Sequence, residues 1–307
     1  MSFTDHSILI FDGACGTNLQ EMVIPETAWQ GSAGCNELLN LTSPETIIAL
    51  HESFLEAGAM VLETNTFGAS SIVLAEYDLA EKTVEINRAA VANARAAIGG
   101  RSGCYVAGSV GPTTKLPSLG HITVDALAAS LAEQMRALVE AGVDALVIET
   151  CQDLLQVKTA VVACFEVLEA LGRQIPVLVS VTMERQGTML VGSDIAAICA
   201  TLEPFPLYSL GLNCATGPAD MVSHIRYLGK HWPGRISCMP NQGLPSVVNG
   251  KTFYPMSPEE FVHSMRRFIE NDGVSLVGGC CGTTPEHIRQ LALACKSLAP
   301  AQREVTA

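Results

Sequence analysis

Val274-Ser275-Leu276-Val277-Gly278-Gly279-Cys280-Cys281-Gly282-Thr283-Thr284-Pro285-Glu286-His287, near the end of a 307-residue chain, reads as one complete strand–loop–helix unit. The apolar run Val274 to Val277 has the length and bounding glycines of a buried strand. Thr284-Pro285-Glu286 marks a helix start, with Pro285 at the first helical position. Cys280 and Cys281 therefore lie in the loop between strand and helix. Neighbouring side chains on an extended strand point to opposite faces, so two sulfurs reach one point only if the backbone turns sharply. The flanking glycines permit that turn.

The same unit recurs along the chain. Apolar runs stand at Ile8–Phe11, Met60–Leu62, Tyr105–Ala107, Ala145–Ile148, Val177–Val181, Ser209–Leu212, Ile236–Met239 and Val274–Val277. They are spaced on average about 38 residues apart, the size of a strand–loop–helix–loop repeat. Ser43-Pro44-Glu45 opens one intervening helix, with Ile47, Leu50, Phe54 and Ala57 along a face. Ser257-Pro258-Glu259-Glu260 opens another and has the spacing of a capping box. Residues 126–141 and 156–171 are rich in Ala and Leu, strong helix formers. Alternating β and α segments with near-continuous apolar strands predict a parallel sheet covered by helices. Eight repeats without a G-x-G-x-x-G or a G-x-x-x-x-G-K-[ST] fit a (β/α)₈ TIM barrel better than a doubly wound sheet.

Composition agrees with one large core: 48% of residues are hydrophobic and 16% are charged. No linker or low-complexity segment divides the chain, so residues 1–298 are expected to form a single domain. Residues 299–307 are expected to be a frayed C-terminal tail. A formal charge of −13 argues against nucleic acid, which needs clustered Lys and Arg. No apolar run reaches about 18 residues and no basic leader precedes an apolar stretch, so a soluble, cytoplasmic protein without membrane contact is expected. Eleven cysteines do not form the even framework of a secreted scaffold. Most of them should be buried free thiols.

Barrel chemistry is built at the C-terminal ends of the strands. Polar and small residues gather there: Asp12-Gly13-Ala14-Cys15 after the first run, Glu63-Thr64-Asn65-Thr66-Phe67-Gly68 after the second, and Gly108-Ser109-Val110-Gly111 after the third. Glu149-Thr150-Cys151 follows the fourth, Asn213-Cys214-Ala215 the sixth and Pro240-Asn241-Gln242-Gly243 the seventh. Cys214 thus shares a rim with Cys280 and Cys281. Three thiolates with one open position suit a catalytic zinc site, because a closed structural site has four protein ligands. Buried thiols or a vicinal disulfide at Cys280–Cys281 remain the alternatives at this point.

Phe11-Asp12-Gly13-Ala14, Glu63-Thr64-Asn65-Thr66-Phe67, Gly211-Leu212-Asn213-Cys214-Ala215, Pro240-Asn241-Gln242-Gly243-Leu244-Pro245 and Val277 to Pro285 resemble the homocysteine S-methyltransferase family. The likeness runs from about Ile8 to Leu298 and is strongest to the cobalamin-linked branch, the homocysteine-binding module of methionine synthase. It implies a TIM barrel with Zn²⁺ on Cys214, Cys280 and Cys281. In that setting the metal makes a substrate thiolate available, since the thiolate is the nucleophilic form of sulfur. The resemblance also implies that Asp12 and Glu149 hold the amino group of homocysteine. The backbone N–H groups of Gly13 and Ala14 are candidates for its carboxylate, and the Asn241 amide oxygen for a displaceable fourth zinc ligand.

The methyl donor implied by this branch is methylcobalamin or another methylcorrinoid, expected on a separate corrinoid protein because the folate and cobalamin modules of the branch are not among these residues. An S-methylmethionine- or betaine-type donor is the second reading. A noncatalytic zinc-thiolate barrel that binds a partner or senses thiols is the third. Thr64, Asn65, Thr66 and Asn213 are expected to position the site without an assigned role for each, and Cys15 and Cys151, which the resemblance does not require, are read as nonligands.

Overall fold

The computed structural model describes residues 2–248 and 251–305. Eight parallel strands form the central sheet: β1 Leu9–Ile10, β2 Val61–Glu63, β3 Tyr105–Val110, β4 Ala145–Cys151, β5 Val177–Val181, β6 Ser209–Asn213, β7 Arg235–Met239 and β8 Val274–Val277. Each pairs with its neighbour in sequence, and β1 pairs with β8. A parallel bridge between Phe11 and Val61 joins β1 to β2, supported by Asp12 N–H to Val61 O at 3.0 Å. The sheet is closed, and the fold is the predicted TIM barrel.

Eight principal helices surround it: α1 Pro44–Ala57, α2 Thr83–Ile98, α3 Val124–Ala141, α4 Leu154–Ala170, α5 Ile195–Leu202, α6 Pro218–His231, α7 Pro258–Asp272 and α8 Pro285–Cys295. The sequence signals for their starts have physical counterparts. Glu260 N–H donates to Ser257 Oγ at 3.2 Å while Ser257 N–H donates to Glu260 Oε2 at 2.8 Å, completing the capping box of α7. On α1 the predicted stripe Ile47, Leu50, Phe54 and Ala57 is buried.

Alternation along the strands divides the barrel interior into two storeys. Leu9, Val61, Ala107, Ala145, Val147, Leu178 and Leu276 form an apolar lower cluster with Phe3, Tyr105 and Tyr208. The Phe3 ring lies 5.4 Å from that of Tyr105 and 5.5 Å from that of Tyr208, so the N-terminal turn plugs the floor. Two residues further up, the inward positions become Glu63, Ser109, Glu149, Ser180 and Asn213. This polar storey is why β3 and β4 run to Val110 and Cys151, past the expected ends at Ala107 and Ile148. Its residues look like loop in the sequence because their polarity serves the site.

A two-stranded hairpin, Ser246–Val248 with Lys251–Phe253, stands between β7 and α7. Beyond Ala299 the described residues have no secondary structure but make contacts with the barrel. Ala301 N–H donates to Ile269 O at 2.9 Å, and the Arg303 guanidinium donates to Trp232 O at 2.7 Å and to Gly234 O. One guanidinium satisfying several carbonyls is enough to dock a short polar segment. Among the described residues no helix is long and apolar enough to cross a membrane.

Candidate metal centre

The three cysteines singled out in the sequence meet at the upper end of the barrel. The sulfur atoms of Cys214, Cys280 and Cys281 all lie within 4.8 Å of one another. Cys214 Sγ and Cys281 Sγ are 3.9 Å apart. Tetrahedral zinc with Zn–S bonds near 2.3 Å places its sulfurs about 3.8 Å apart, so the donor set fits this metal.

Backbone geometry assembles the cluster. Cys214 and Ala215 both have positive φ, 62° and 51°, in the left-handed region where non-glycine residues are strained. That turn swings Cys214 inward from the end of β6. Cys280 N–H donates to Pro240 O at 2.9 Å and Gln242 N–H to Cys281 O at 2.9 Å, fixing the β8 loop against the β7 loop. Thr283 Oγ1 donates to Cys280 O at 2.6 Å and accepts from Ala14 N–H at 3.1 Å. The cysteine turn is thereby tied to the β1 loop. A Cβ on Gly279 would run into Thr283, so the glycine is required by close approach.

Hydrogen bonds from Cys214 and Cys280 hold the Cys281 thiol far below its ordinary range, at about 3, while contact with the other two sulfurs pushes Cys280 up. A bound Zn²⁺ would supply the positive charge that three clustered thiolates need. The nearby Tyr254 hydroxyl also favours the Cys281 thiolate. Its ring packs where a side chain on Gly282 would stand.

A cavity of about 330 Å³ opens beside the sulfurs. Asp12, Gly13, Ala14, Glu63, Ser109 and Glu149 line it together with the three cysteines. Asp12 is 5% exposed and Glu149 9% exposed. Burial raises the affinity of both for a proton; at Asp12 the neighbouring Glu149 charge adds to it. Glu149 is well supported: Ser109 Oγ donates to Oε1 at 2.6 Å, Thr150 Oγ1 to Oε2 at 3.2 Å and Asn213 Nδ2 to Oε2 at 3.3 Å. Asp12 accepts Glu63 N–H at Oδ2, 3.1 Å, and its buried Oδ1 has no partner among the described residues.

The structure separates the two carboxylate-binding candidates. Ala14 N–H is engaged by Thr283 Oγ1, whereas Gly13 N–H has no partner among the described residues. Asn241 lies between the sulfur-bearing loops, 3% exposed, with N–H bonded to Thr216 O at 3.2 Å and a buried Oδ1 that has no partner among the described residues.

The groups expected to position the site acquire specific partners here. Asn213 Oδ1 accepts from Thr150 N–H at 2.9 Å and Ser180 Oγ at 2.7 Å, and its Nδ2 lies 4.0 Å from Cys280 Sγ. Thr64 and Thr66 share a hydroxyl contact of 2.6 Å, and Thr66 Oγ1 donates to Ser109 O, stitching the β2 loop to β3. Asn65 Nδ2 donates to Asn36 O at 2.8 Å, and its Oδ1 accepts from Cys15 at 3.4 Å. Cys15 therefore faces the cavity without belonging to the sulfur cluster. Cys151 is buried against the helices outside the barrel. Glu63 was quoted only as part of a motif, yet its carboxylate lines the cavity; burial and the Glu149 and Asp12 charges raise its proton affinity well above the usual range.

The family model for homocysteine S-methyltransferase matches residues 9–295. Two methionine synthases, from Mycobacterium leprae and Mycobacterium tuberculosis, are 44% identical over 291 residues and 42% identical over 304 residues. The matches cover 94% and 97% of this chain but 24% and 25% of those proteins, so the chain spans about a quarter of the curated relatives' length. The metallated form of the homocysteine methyltransferase MmuM from Escherichia coli superposes with a TM-score of 0.75 at 24% identity, covering 94% of this chain and 97% of that one. At that identity the likeness shows the barrel. With nearly its whole length matched by the family, the chain belongs to the homocysteine S-methyltransferase family, a family of methyl-transferring enzymes.

Proposed function

We propose that this chain converts homocysteine to methionine, with zinc held by Cys214, Cys280 and Cys281 and a methylcorrinoid as methyl donor. The observation that carries the reading is one cavity with three converging sulfurs and the acids Asp12 and Glu149 on its wall. Sulfur donors and acids match the two ends of a thiol-bearing amino acid.

Bound Zn²⁺ would keep the substrate sulfur as a thiolate at neutral pH, where a free thiol with an ordinary pKa near ~8.5 is mostly protonated. The chain's own groups do the rest. Asp12 and Glu149 take the ammonium, and Gly13 N–H is the free backbone donor for the carboxylate. Asn241 Oδ1 is the candidate to occupy the fourth metal position until substrate arrives. The new S–CH₃ bond forms as the methyl group's bond to its carrier breaks, the electron pair staying with the carrier and the thiol proton going to solvent.

A cavity of about 330 Å³ suits an amino acid, and a corrinoid ring is far larger. Such a donor stays outside, presented by protein beyond residues 1–307. The rim supports that arrangement. Val23, Phe67, Leu119, Leu190 and Phe253 are exposed large apolar side chains, all on segments that follow barrel strands at the mouth. Other exposed apolar side chains, Val162 and Leu293 among them, lie on the outer helices, so the rim residues are candidates for contact with a carrier.

The test is methionine formation by the zinc-loaded protein, with methylcobalamin, S-methylmethionine and betaine supplied separately. Turnover with methylcobalamin is expected. Turnover only with S-methylmethionine or betaine would replace the donor, and no methionine from any of the three would count against homocysteine methylation.

A further inference from the structure

The polar storey of the barrel holds a third carboxylate that the reading above leaves without work. Glu63 is the last residue of β2 and points inward, two positions above Val61 of the apolar floor. It lines the same cavity as Asp12 and Glu149. Among the described residues its side chain has no hydrogen-bond or ion-pair partner, and no Lys or Arg lines the cavity. Glu63 is half-buried at the cavity wall, so its carboxylate oxygens are open to a ligand that enters.

Counting donors and acceptors suggests what it faces. An ammonium has three N–H donors. Asp12 brings one buried oxygen without a partner, Oδ1. Both oxygens of Glu149 already accept from neutral donors, so it has limited acceptor capacity to spare. Asp12 and Glu63 are held as neighbours, because Glu63 N–H donates to Asp12 Oδ2 at 3.1 Å.

We infer that Glu63 is a specificity-determining residue, the third carboxylate around the substrate's ammonium, completing a three-acceptor pocket with Asp12 and Glu149. This inference rests on homocysteine being the substrate. Its consequence is selection: the cavity prefers a thiol that carries an amino group over the same thiol without one. The substrate's charge relieves the mutual repulsion of three acids that protein cations leave unneutralised.

The experiment compares binding of L-homocysteine and its desamino analogue, 4-mercaptobutyrate, to the zinc-loaded protein by calorimetry. Wild type should prefer homocysteine strongly. Glu63→Gln, which keeps the shape and removes the charge, should weaken homocysteine about tenfold or more and leave the analogue within about twofold. Glu63→Asp should recover part of the preference. Zinc content and thermal midpoint of each variant show whether it has folded and kept its metal. Equal loss for both ligands, or an unchanged preference, in a folded Glu63→Gln protein would overturn the inference. A wild type that does not prefer homocysteine would overturn it together with the proposed substrate.

Discussion

The Asn213 side chain stands 3.3 Å from the Glu149 carboxylate, Nδ2 to Oε2, bridging strands β6 and β4 over the polar storey. The residue that follows it is the zinc-ligand candidate Cys214, so one amide joins the metal end of the cavity to the amino-acid end. Asn213→Ala should strand the Thr150 N–H and remove a donor from Glu149, leaving buried polar groups worth about 1–3 kcal/mol each unpaired. The expected result is homocysteine affinity reduced by about tenfold with zinc still bound. Calorimetric titration alongside metal analysis checks this, and unchanged affinity would show that Asn213 only fills space.

The sulfur cluster has a direct test. Cys214→Ser, Cys280→Ser and Cys281→Ser each remove one thiolate from a three-ligand set. Each variant should lose about 90% or more of its zinc on washing with a mild chelator, measured by mass spectrometry of the metal. Full zinc retention in all three would refute the ligand assignment.

Gly279→Ala probes the turn that aims the paired cysteines. The added methyl group meets Thr283, whose hydroxyl links Ala14 N–H to Cys280 O. Overpacking of this kind costs about 1–3 kcal/mol. Both the unfolding free energy and zinc affinity in a chelator competition should fall. A variant matching wild type in both would show that the turn has room to relax.

His51 predicts a pH dependence. It sits on α1, 2% exposed, with no partner for Nε2 among the described residues, and burial lowers its pKa from 6.5 to about 4. The unfolded chain therefore takes up a proton below pH 6.5 that the folded chain refuses until about pH 4. Folding is penalised increasingly as pH falls through that window, by about 2–3 kcal/mol between pH 7 and pH 4.5. His51→Gln removes this contribution, so its stability should fall less than that of wild type over the same range. Parallel curves from denaturant unfolding would contradict the assignment.

The barrel was legible because buried parallel strands leave uninterrupted apolar runs; Val177–Val181 and Val274–Val277 match residue for residue. The strand ends were less legible where polarity belongs to the site. Glu149 and Ser109 read as loop because the sequence does not distinguish a polar residue facing a cavity from one facing solvent. Cys214, Cys280 and Cys281 stood out because each lies on a loop that follows a strand. Asn213 stood next to one of them without revealing a role, since its partners Thr150 and Ser180 lie on other strands. The segment after Ala299 reads as a fraying terminus, and the carbonyls that Arg303 reaches belong to residues far away in sequence, which no local pattern shows.

Phe3, wedged between Tyr105 and Tyr208, gives the barrel a sealed base. On the proposed function, reactants and products would share the doorway at the opposite end. A bulky carrier settling on that doorway would shut it while the methyl group crosses. On that function, the thiol would have to be inside before the carrier landed, and the thioether would have to wait for it to lift. The sequence of arrivals and departures would then be set by an aromatic plug at the far end of the molecule from the chemistry.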